Sequence, residues 1–394
     1  MRVALLQNFV APYRVPLYEK LRDRVDALKV FVSTPMESDR SWKVEWGTLD
    51  VVVQKNITLR KRSRDGFGFT RMLQIHFPYD TIAQLWRYRP DAVISVELGP
   101  RSLQVVLYKM LRPSTRLLLW CKLSEHSERG WGRSRTLLRK FLLSRADGVL
   151  VNGESGARYI QSLGYPDSRI YRINQPVDVG LFESAVRQRP DGVATRMLCC
   201  GVLSERKGVL PFLTQLDLWA QANPSVPLEL WWVGGGEMRA VLEGFACAPN
   251  LTQRFIGDIP YAELPSWYSQ TDILVFPSLL DEWGLVVNEA MAAGLPVMGS
   301  IYAQAVTELV TEGTTGWVFD PNNTVSTQSV LDRVHQASAE QLAEMRRAVK
   351  RRIAQLTPQT TADKMRKALD AVMGEGKVSV GSTDAHQLAA VRNG

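Results

Sequence analysis

Two carboxylates, Asp281 and Glu289, stand eight positions apart around the step Trp283-Gly284 in the stretch from Pro277 to Val297. The order of residue types there reads as strand end, loop, helix start, helix, glycine stop at Gly294 and next strand. In an open parallel sheet, ligands bind beyond the carboxyl ends of the strands, and the helix that follows presents free backbone N–H groups to an anion. Gly284 lets the backbone come close to that anion, so the amides from Trp283 through Leu285 to Val286 form a candidate phosphate cradle. Asp281 and Glu289 flank it as acceptors for the hydroxyls of a polyhydroxylated ligand. The plainer alternative is that Asp281 or Glu282 caps the helix and that Glu289 is solvated. Glu289, however, sits in an apolar, small-residue run from Val286 to Ala293, and an inward carboxylate there needs a partner.

Other candidates lie elsewhere in the chain. Arg206 and Lys207 precede Gly208 after an apolar run. They are cations for a phosphate or, in the alternative reading, solvated residues at a helix start. Val233-Gly234-Gly235-Gly236 is a tight strand-to-helix turn that also suits close approach of a ligand. Tyr13 and Arg14 follow the first apolar run, Arg14 as a cation for a ligand anion, although an ordinary first-turn arginine reads equally well. His126 comes shortly after the run ending near Cys121.

The elements that must position these residues are short apolar runs alternating with amphipathic stretches, the pattern of parallel βα units. In the front half the expected strands are Arg2–Leu6, Leu28–Ser33, Ala92–Val96, Arg116–Cys121 and Gly148–Asn152, with helices over Val15–Arg24, Arg101–Met110, Ser134–Leu143 and Glu154–Leu163. Periodicity lapses between Asn174 and Arg196 and then restarts. Strands follow at Met197–Val202, Leu228–Val233, Gln253–Ile256, Ile273–Pro277, Val297–Gly299 and Gly316–Phe319, with a helix from Val209 and late helices over Ser326–Gln355 and Thr360–Val372. The expected organisation is an α/β protein of two tandem, doubly wound, Rossmann-like domains. Residues 1–176 form a first domain, 177–195 a linker and 196–357 a second domain; 358–373 form a last helix, and 374–394 a disordered tail.

The 394 residues are 45% hydrophobic and 22% charged, which excludes a disordered chain, while the length and four cysteines exclude a small disulfide scaffold. Cys121, Cys199, Cys200 and Cys247 have no CxxC spacing and read as reduced thiols. No apolar run reaches bilayer-spanning length, and the opening Met1–Leu6 reads as a first strand rather than a leader, so a cytoplasmic protein is expected. Of the net charge of +8, residues 1–190 hold 32 Lys+Arg against 18 Asp+Glu, and the remainder 16 against 22. A basic front half points to nucleic acid, an anionic membrane surface or an anionic ligand between the halves. The absence of a recognised nucleic-acid module argues against the first.

The segment from Asp281 to Val297 resembles the signature of the retaining family 4 glycosyltransferases, E-x-(F/W)-G-x-x-x-x-E-A-M-A-x-G-x-P-V, the Glu-x7-Glu motif of a GT-B fold. Asp281 takes the first Glu position, and Trp283-Gly284 and Glu289 to Val297 match. Gly201 to Gly208 is similar to that family's G-R-L-x-x-x-K-G loop, with Lys207 at the Lys and Val202 at the Arg. Gly234 falls in its V-G-x-G loop, and His126 matches its histidine near the donor sugar.

The resemblance implies a GT-B fold with an interdomain cleft and a nucleotide-diphosphate sugar as co-substrate, with 1–176 the acceptor-side domain, Tyr13 and Arg14 at its cleft or acceptor face, 196–357 the nucleotide-sugar-binding domain and 358–373 a helix crossing back to the first domain. It implies hexosyl transfer with retention, without a metal or other cofactor, as in polysaccharide or lipopolysaccharide assembly. His126, Lys207, Asp281 and Glu289 take the catalytic roles, and Lys207, Arg206, Gly234, Asp281, Trp283, Gly284, Leu285, Val286 and Glu289 the donor site. The acceptor is expected to be a cell-surface glycan or a lipid-linked sugar. The basic runs Arg60–Arg64 and Arg133–Arg145 suit peripheral contact with an anionic inner membrane face, or are simply solvated basic helices. A non-catalytic nucleotide-sugar or glycan-binding protein on the same scaffold is the alternative, kept open by Val202 and Asp281.

Overall fold

Strands buried on both faces cannot be told apart by alternation, and in this chain they announce themselves as unbroken apolar runs, such as Ala92–Val96, buried at every position. The computed structural model describes residues 1–37, 44–64, 67–130, 132–183 and 194–374. In chain order the strands are β1 (Arg2–Gln7), β2 (Ala27–Val32), β3 (Asp50–Val53), β4 (Asn56–Arg64), β5 (Thr70–Pro78), β6 (Ala92–Val96), β7 (Arg116–Cys121), β8 (Gly148–Val151) and β9 (Ile170–Arg172). The second half contributes β10 (Thr195–Cys200), β11 (Leu228–Val233), β12 (Leu251–Gly257), β13 (Ile273–Phe276), β14 (Val297–Ser300) and β15 (Gly316–Phe319).

Two parallel sheets result, with strand orders β3-β2-β1-β6-β7-β8-β9 and β12-β11-β10-β13-β14-β15. In the first, β1 pairs in parallel with both β2 and β6; in the second, β10 pairs with both β11 and β13. Strand order therefore reverses beside β1 and beside β10. Loops leaving the carboxyl ends of strands at such a reversal have no neighbouring crossover above them, which is where doubly wound sheets bind ligands. The loops after β1, β10 and β13 carry Tyr13 and Arg14, Arg206 and Lys207, and Asp281 to Gly284.

Several expectations change. β4 and β5 form an antiparallel hairpin, from Asn56 opposite Pro78 to Arg64 opposite Thr70. The basic run Arg60–Arg64 thus lies on a mostly exposed strand rather than a helix, whereas Arg133–Arg145 is helical. The single late helix expected over Ser326–Gln355 is two, Thr324–Gln336 and Ala339–Ile353. Ser338 divides them: its Oγ accepts from the Gln341 amide at 3.2 Å while Gln341 Oε1 accepts from the Ser338 amide at 2.9 Å, a reciprocal cap that starts a new helix.

Within the segment expected as linker, Val179–Phe182 is a short helix, and Val177 and Phe182 are buried in the second core; residues 184–193 lie outside the described residues, as does the expected tail from 375 onward. Helix Pro358–Gly374 buries Ala362, Met365, Ala368 and Leu369 in the same cluster as Val3, Leu5 and Ile94 of the first sheet. Helix Ala339–Ile353 packs instead on the second core through Val349 and Ile353. The two passages between the bodies touch, with the Val177 amide donating to the Leu356 carbonyl at 2.9 Å.

Candidate active site

A cleft of about 890 Å³ opens between the carboxyl ends of the two sheets. Its second-domain wall is built from three strand-to-helix loops. In the loop after β13, Gly284 has φ +100, and a Cβ there would meet the Phe276 ring at 2.6 Å; only glycine fits both demands. Gly284 is itself the N-cap of helix Leu285–Ala292, with no side chain capping the first turn. Asp281 and Glu282 therefore do not cap this helix, and the amides of Leu285 and Val286 are left for a ligand at the positive end of the helix dipole. Both residues line the cleft.

Asp281 turns away from capping because Lys207 takes it. The two form an ion pair, and Asp281 Oδ1 also accepts from the Trp283 amide at 3.3 Å. Burial pushes the Asp281 carboxyl up, but the Lys207 and Arg206 cations outweigh it and hold the group below its ordinary value. Lys207 ends a single 3-10 turn, Glu205–Lys207, and its ammonium lies 4.9 Å from the centre of the Phe276 ring. Arg206 is committed to the same loop from the other side, donating through Nη1 to the Leu280 carbonyl at 2.5 Å. Arg206 and Lys207 thus fasten the β10 loop to the β13 loop. Gly234 has φ +121, and a Cβ there would meet the Gly201 carbonyl oxygen at 2.2 Å, so this turn packs backbone against backbone at the cleft floor.

Glu289 faces inward, only 4% exposed, and its partner is Tyr268, whose hydroxyl donates to Oε2 at 2.9 Å. Burial raises its carboxyl to about 7, against a lowering by the Tyr268 hydrogen bond. Between pH 4.5 and 7 the folded chain holds a proton that the unfolded chain has released, so this group's contribution to stability falls as pH rises through that window. Glu289→Gln is therefore expected to match the parent near pH 4.5 and to exceed it at pH 8, by roughly 2–4 kcal/mol. Urea unfolding at both pH values checks this; a stability difference independent of pH would contradict it. Trp283 is held by donation from Nε1 to Asn288 Oδ1 at 2.8 Å, and Asn288 Nδ2 donates in turn to the Gln175 carbonyl at 2.9 Å.

The first-domain wall carries Tyr13 and Arg14, on the turn Pro12–Arg14, together with Lys122, Asn152 and Gln175. His126 is not among the residues that line the cleft. It is stacked on Tyr302 with ring centres 4.6 Å apart, and its Nε2 donates to the Leu279 carbonyl at 3.1 Å, which fixes the neutral ring's tautomer. Burial lowers its pKa, although the Leu279 hydrogen bond pulls the other way. His126 therefore ties the first domain to the β13 loop, and the cleft position directly after β7 belongs to Lys122. The family resemblance assigns the donor-sugar role in this segment to His126; the signal for Lys122 is its place as the first residue beyond the strand.

Of the expected site residues, Tyr13, Arg14, Arg206, Lys207, Gly234, Asp281, Trp283, Gly284, Leu285, Val286 and Glu289 line one cleft. Asp258 and Tyr261 also line it. Asp258 accepts from the Gly235 amide at 2.8 Å. Among the described residues no three His, Cys, Asp or Glu side chains cluster as a metal site requires.

Residues 194–336 match the family model of the group 1 glycosyl transferases. The D-inositol 3-phosphate glycosyltransferase of Paenarthrobacter aurescens (strain TC1) is 24% identical over 266 residues, covering 64% of this chain and 62% of that protein. The lipopolysaccharide core biosynthesis mannosyltransferase LpsB of Rhizobium meliloti (strain 1021) is 25% identical over 253 residues, covering 59% and 66%. The chain thus spans just under two thirds of the length of these curated relatives. Anabaena HepE in complex with UDP-glucose matches the fold with a TM-score of 0.69 at 17% identity, over 94% of this chain and 100% of that one. The fold is that of the GT-B glycosyltransferases, and these findings support kinship with the group 1 glycosyltransferases, carried by residues 194–336.

Proposed function

We propose that the chain is a retaining glycosyltransferase of the family 4 kind, moving a hexosyl group from a nucleotide-diphosphate sugar to a glycan or lipid-linked acceptor of the cell surface, as in polysaccharide or lipopolysaccharide assembly. One observation carries the reading. The uncapped start of helix Leu285–Ala292, the Lys207 ammonium and the buried Glu289 carboxylate line one cleft, an arrangement that suits diphosphate at the amides and ribose hydroxyls at Glu289. The relatives described as mannosyl- and inositol phosphate glycosyltransferases, and the UDP-glucose held by HepE, support the same substrate class.

In the proposed reaction the bond between the anomeric carbon and the β-phosphate oxygen breaks and a new bond to the acceptor oxygen forms on the same face. The acceptor proton passes to an oxygen of the departing diphosphate. The amides of Leu285 and Val286 and the Lys207 cation stabilise the charge that grows there, and the cleft holds the two substrates in register. Asp281 has its carboxylate on Lys207, so its role is to position that cation beside the transferred sugar. The amides and Lys207 supply the charge stabilisation without a metal or cofactor.

Membrane contact is proposed at the β4–β5 hairpin, where Arg60, Lys61 and Arg62 accompany exposed Ile57, Leu59 and Met72, a mixture suited to an anionic inner leaflet. No helix among the described residues is long and apolar enough to cross a membrane. The test of the main reading is selective binding of one nucleoside diphosphate by the intact chain. Binding of none would favour a scaffold without catalysis, the reading that Val202 and the Lys207–Asp281 pair keep in view.

A further inference from the structure

The two walls of the cleft differ in how their cations are committed. On the second-domain wall, Lys207 is paired with Asp281 and Arg206 with the Leu280 carbonyl. On the first-domain wall, Arg14 is only 5% exposed and its Nη1 has no hydrogen-bond partner. Its guanidinium stacks on aromatic rings, 5.1 Å from the centre of Trp120 and 5.5 Å from that of Tyr13. Lys122 lies over the same Trp120 ring, its ammonium 4.7 Å from the centre; among the described residues no carboxylate pairs with it. Two neighbouring like charges are thus held against one indole in a cleft wall. Burying cations without an anion costs stability, and a site that keeps such a cost is a candidate for function.

We propose that Arg14 and Lys122 form an oxyanion site on the first-domain wall, taking a phosphate group of the substrates, either that of the donor diphosphate or one carried by the acceptor. The inference rests on the glycosyltransferase reading for the identity of the substrates but not for the existence of the site. Arg14 supplies a planar donor set, suited to two phosphate oxygens at once, and Lys122 a point charge. The groups facing Lys122 fit this role. Burial and the Arg14 and Arg101 cations push its pKa down to about 7, against the pull of Glu97 and Glu282, so an arriving oxyanion meets an amine that it can recharge. Arg101 stays behind the wall, donating to Ser33 Oγ at 2.6 Å. The arrangement places a phosphate in the cleft that the helix amides line on one wall and the two cations on the other.

The test is calorimetric titration of the full chain and its Lys122→Gln, Arg14→Gln and Arg14→Lys variants. The probes are inorganic pyrophosphate, the nucleoside diphosphate that the parent binds, the matching nucleoside, and inorganic phosphate added to nucleotide-saturated protein. Loss of about tenfold in pyrophosphate and nucleoside diphosphate affinity in Lys122→Gln, with nucleoside affinity unchanged and Arg14→Lys retaining most of the binding, supports the site with the donor as its source. Unchanged nucleotide affinity, with phosphate binding to the saturated parent but not to Lys122→Gln, supports it with a second phosphate as the source. Unchanged binding of every probe in Lys122→Gln, or equal weakening of nucleoside and diphosphate, overturns it. Arg14→Gln is scored only if its melting temperature matches the parent, and Lys122→Gln, which removes a partly buried amine whose charged form is disfavoured there, is expected to fold at least as stably. A parent that binds phosphate but no nucleotide leaves this site standing and removes the glycosyltransferase reading.

Discussion

Gly284→Ala is expected to lower the proposed glycosyl transfer at least about a hundredfold, the scale of losing one well-placed donor to a developing oxyanion. The added Cβ would lie 2.6 Å from the Phe276 ring at a φ of +100, so the loop must shift, and with it the amides of Leu285 and Val286. The strained backbone costs about 1–3 kcal/mol of stability as well. Steric and conformational causes separate in a second variant: Gly284→Ala with Phe276→Leu reopens space but leaves the φ penalty, and should recover part of the activity and little of the stability. Steady-state rates with denaturant unfolding read both, and a Gly284→Ala protein with parental rates would remove the phosphate cradle from the account.

Lys207→Met has the second large effect, through two routes. It strips Asp281 of its ion-pair partner in a wall where Asp281 and Lys207 side chains are 14% and 18% exposed, and a buried pair broken on one side costs about 3 kcal/mol. It also removes a cation from the proposed diphosphate site. The double variant Lys207→Met with Asp281→Leu distinguishes them, because replacing both partners by apolar groups restores much of the stability while nucleotide binding stays weak. If the double variant regained binding along with stability, Lys207 would be a structural residue only.

What could be read from the sequence follows from what kind of burial each segment has. Ala92–Val96, Arg116–Cys121, Leu228–Val233 and Gly316–Phe319 are apolar runs bounded by turn residues, and they fold as the strands expected. The hairpin β4–β5 escaped because Arg60 to Arg64 carry charge on a strand exposed along nearly its whole length, so neither a buried face nor a period of two marks it. Glu289 was legible as an inward carboxylate because its helix offers small apolar neighbours all round.

Its pairing with Tyr268, on a separate helix 21 positions away, has no such signal, since contacts between residues distant in sequence leave no local pattern. The same holds for Lys207 with Asp281, 74 positions apart, whose pairing redirects a carboxylate expected to face the sugar. His126 and Lys122 illustrate the limit most sharply. Both belong to the segment after β7, and only the course of the chain beyond Cys121 decides that the lysine enters the cleft while the histidine stacks on Tyr302 and bonds to Leu279.

The most direct test of the account is to measure melting of the intact chain with UDP, GDP, ADP, CMP and dTDP in turn, for the parent and for Glu289→Gln. The account predicts that at pH 8, where the Glu289 carboxyl is mostly ionised, one nucleotide at about a hundredfold above its dissociation constant stabilises the parent by about 2.7 kcal/mol, and that most of this is lost in the variant because the ribose hydroxyls lose a charged acceptor. Stabilisation by no nucleotide, or by one nucleotide equally in both proteins, would contradict it.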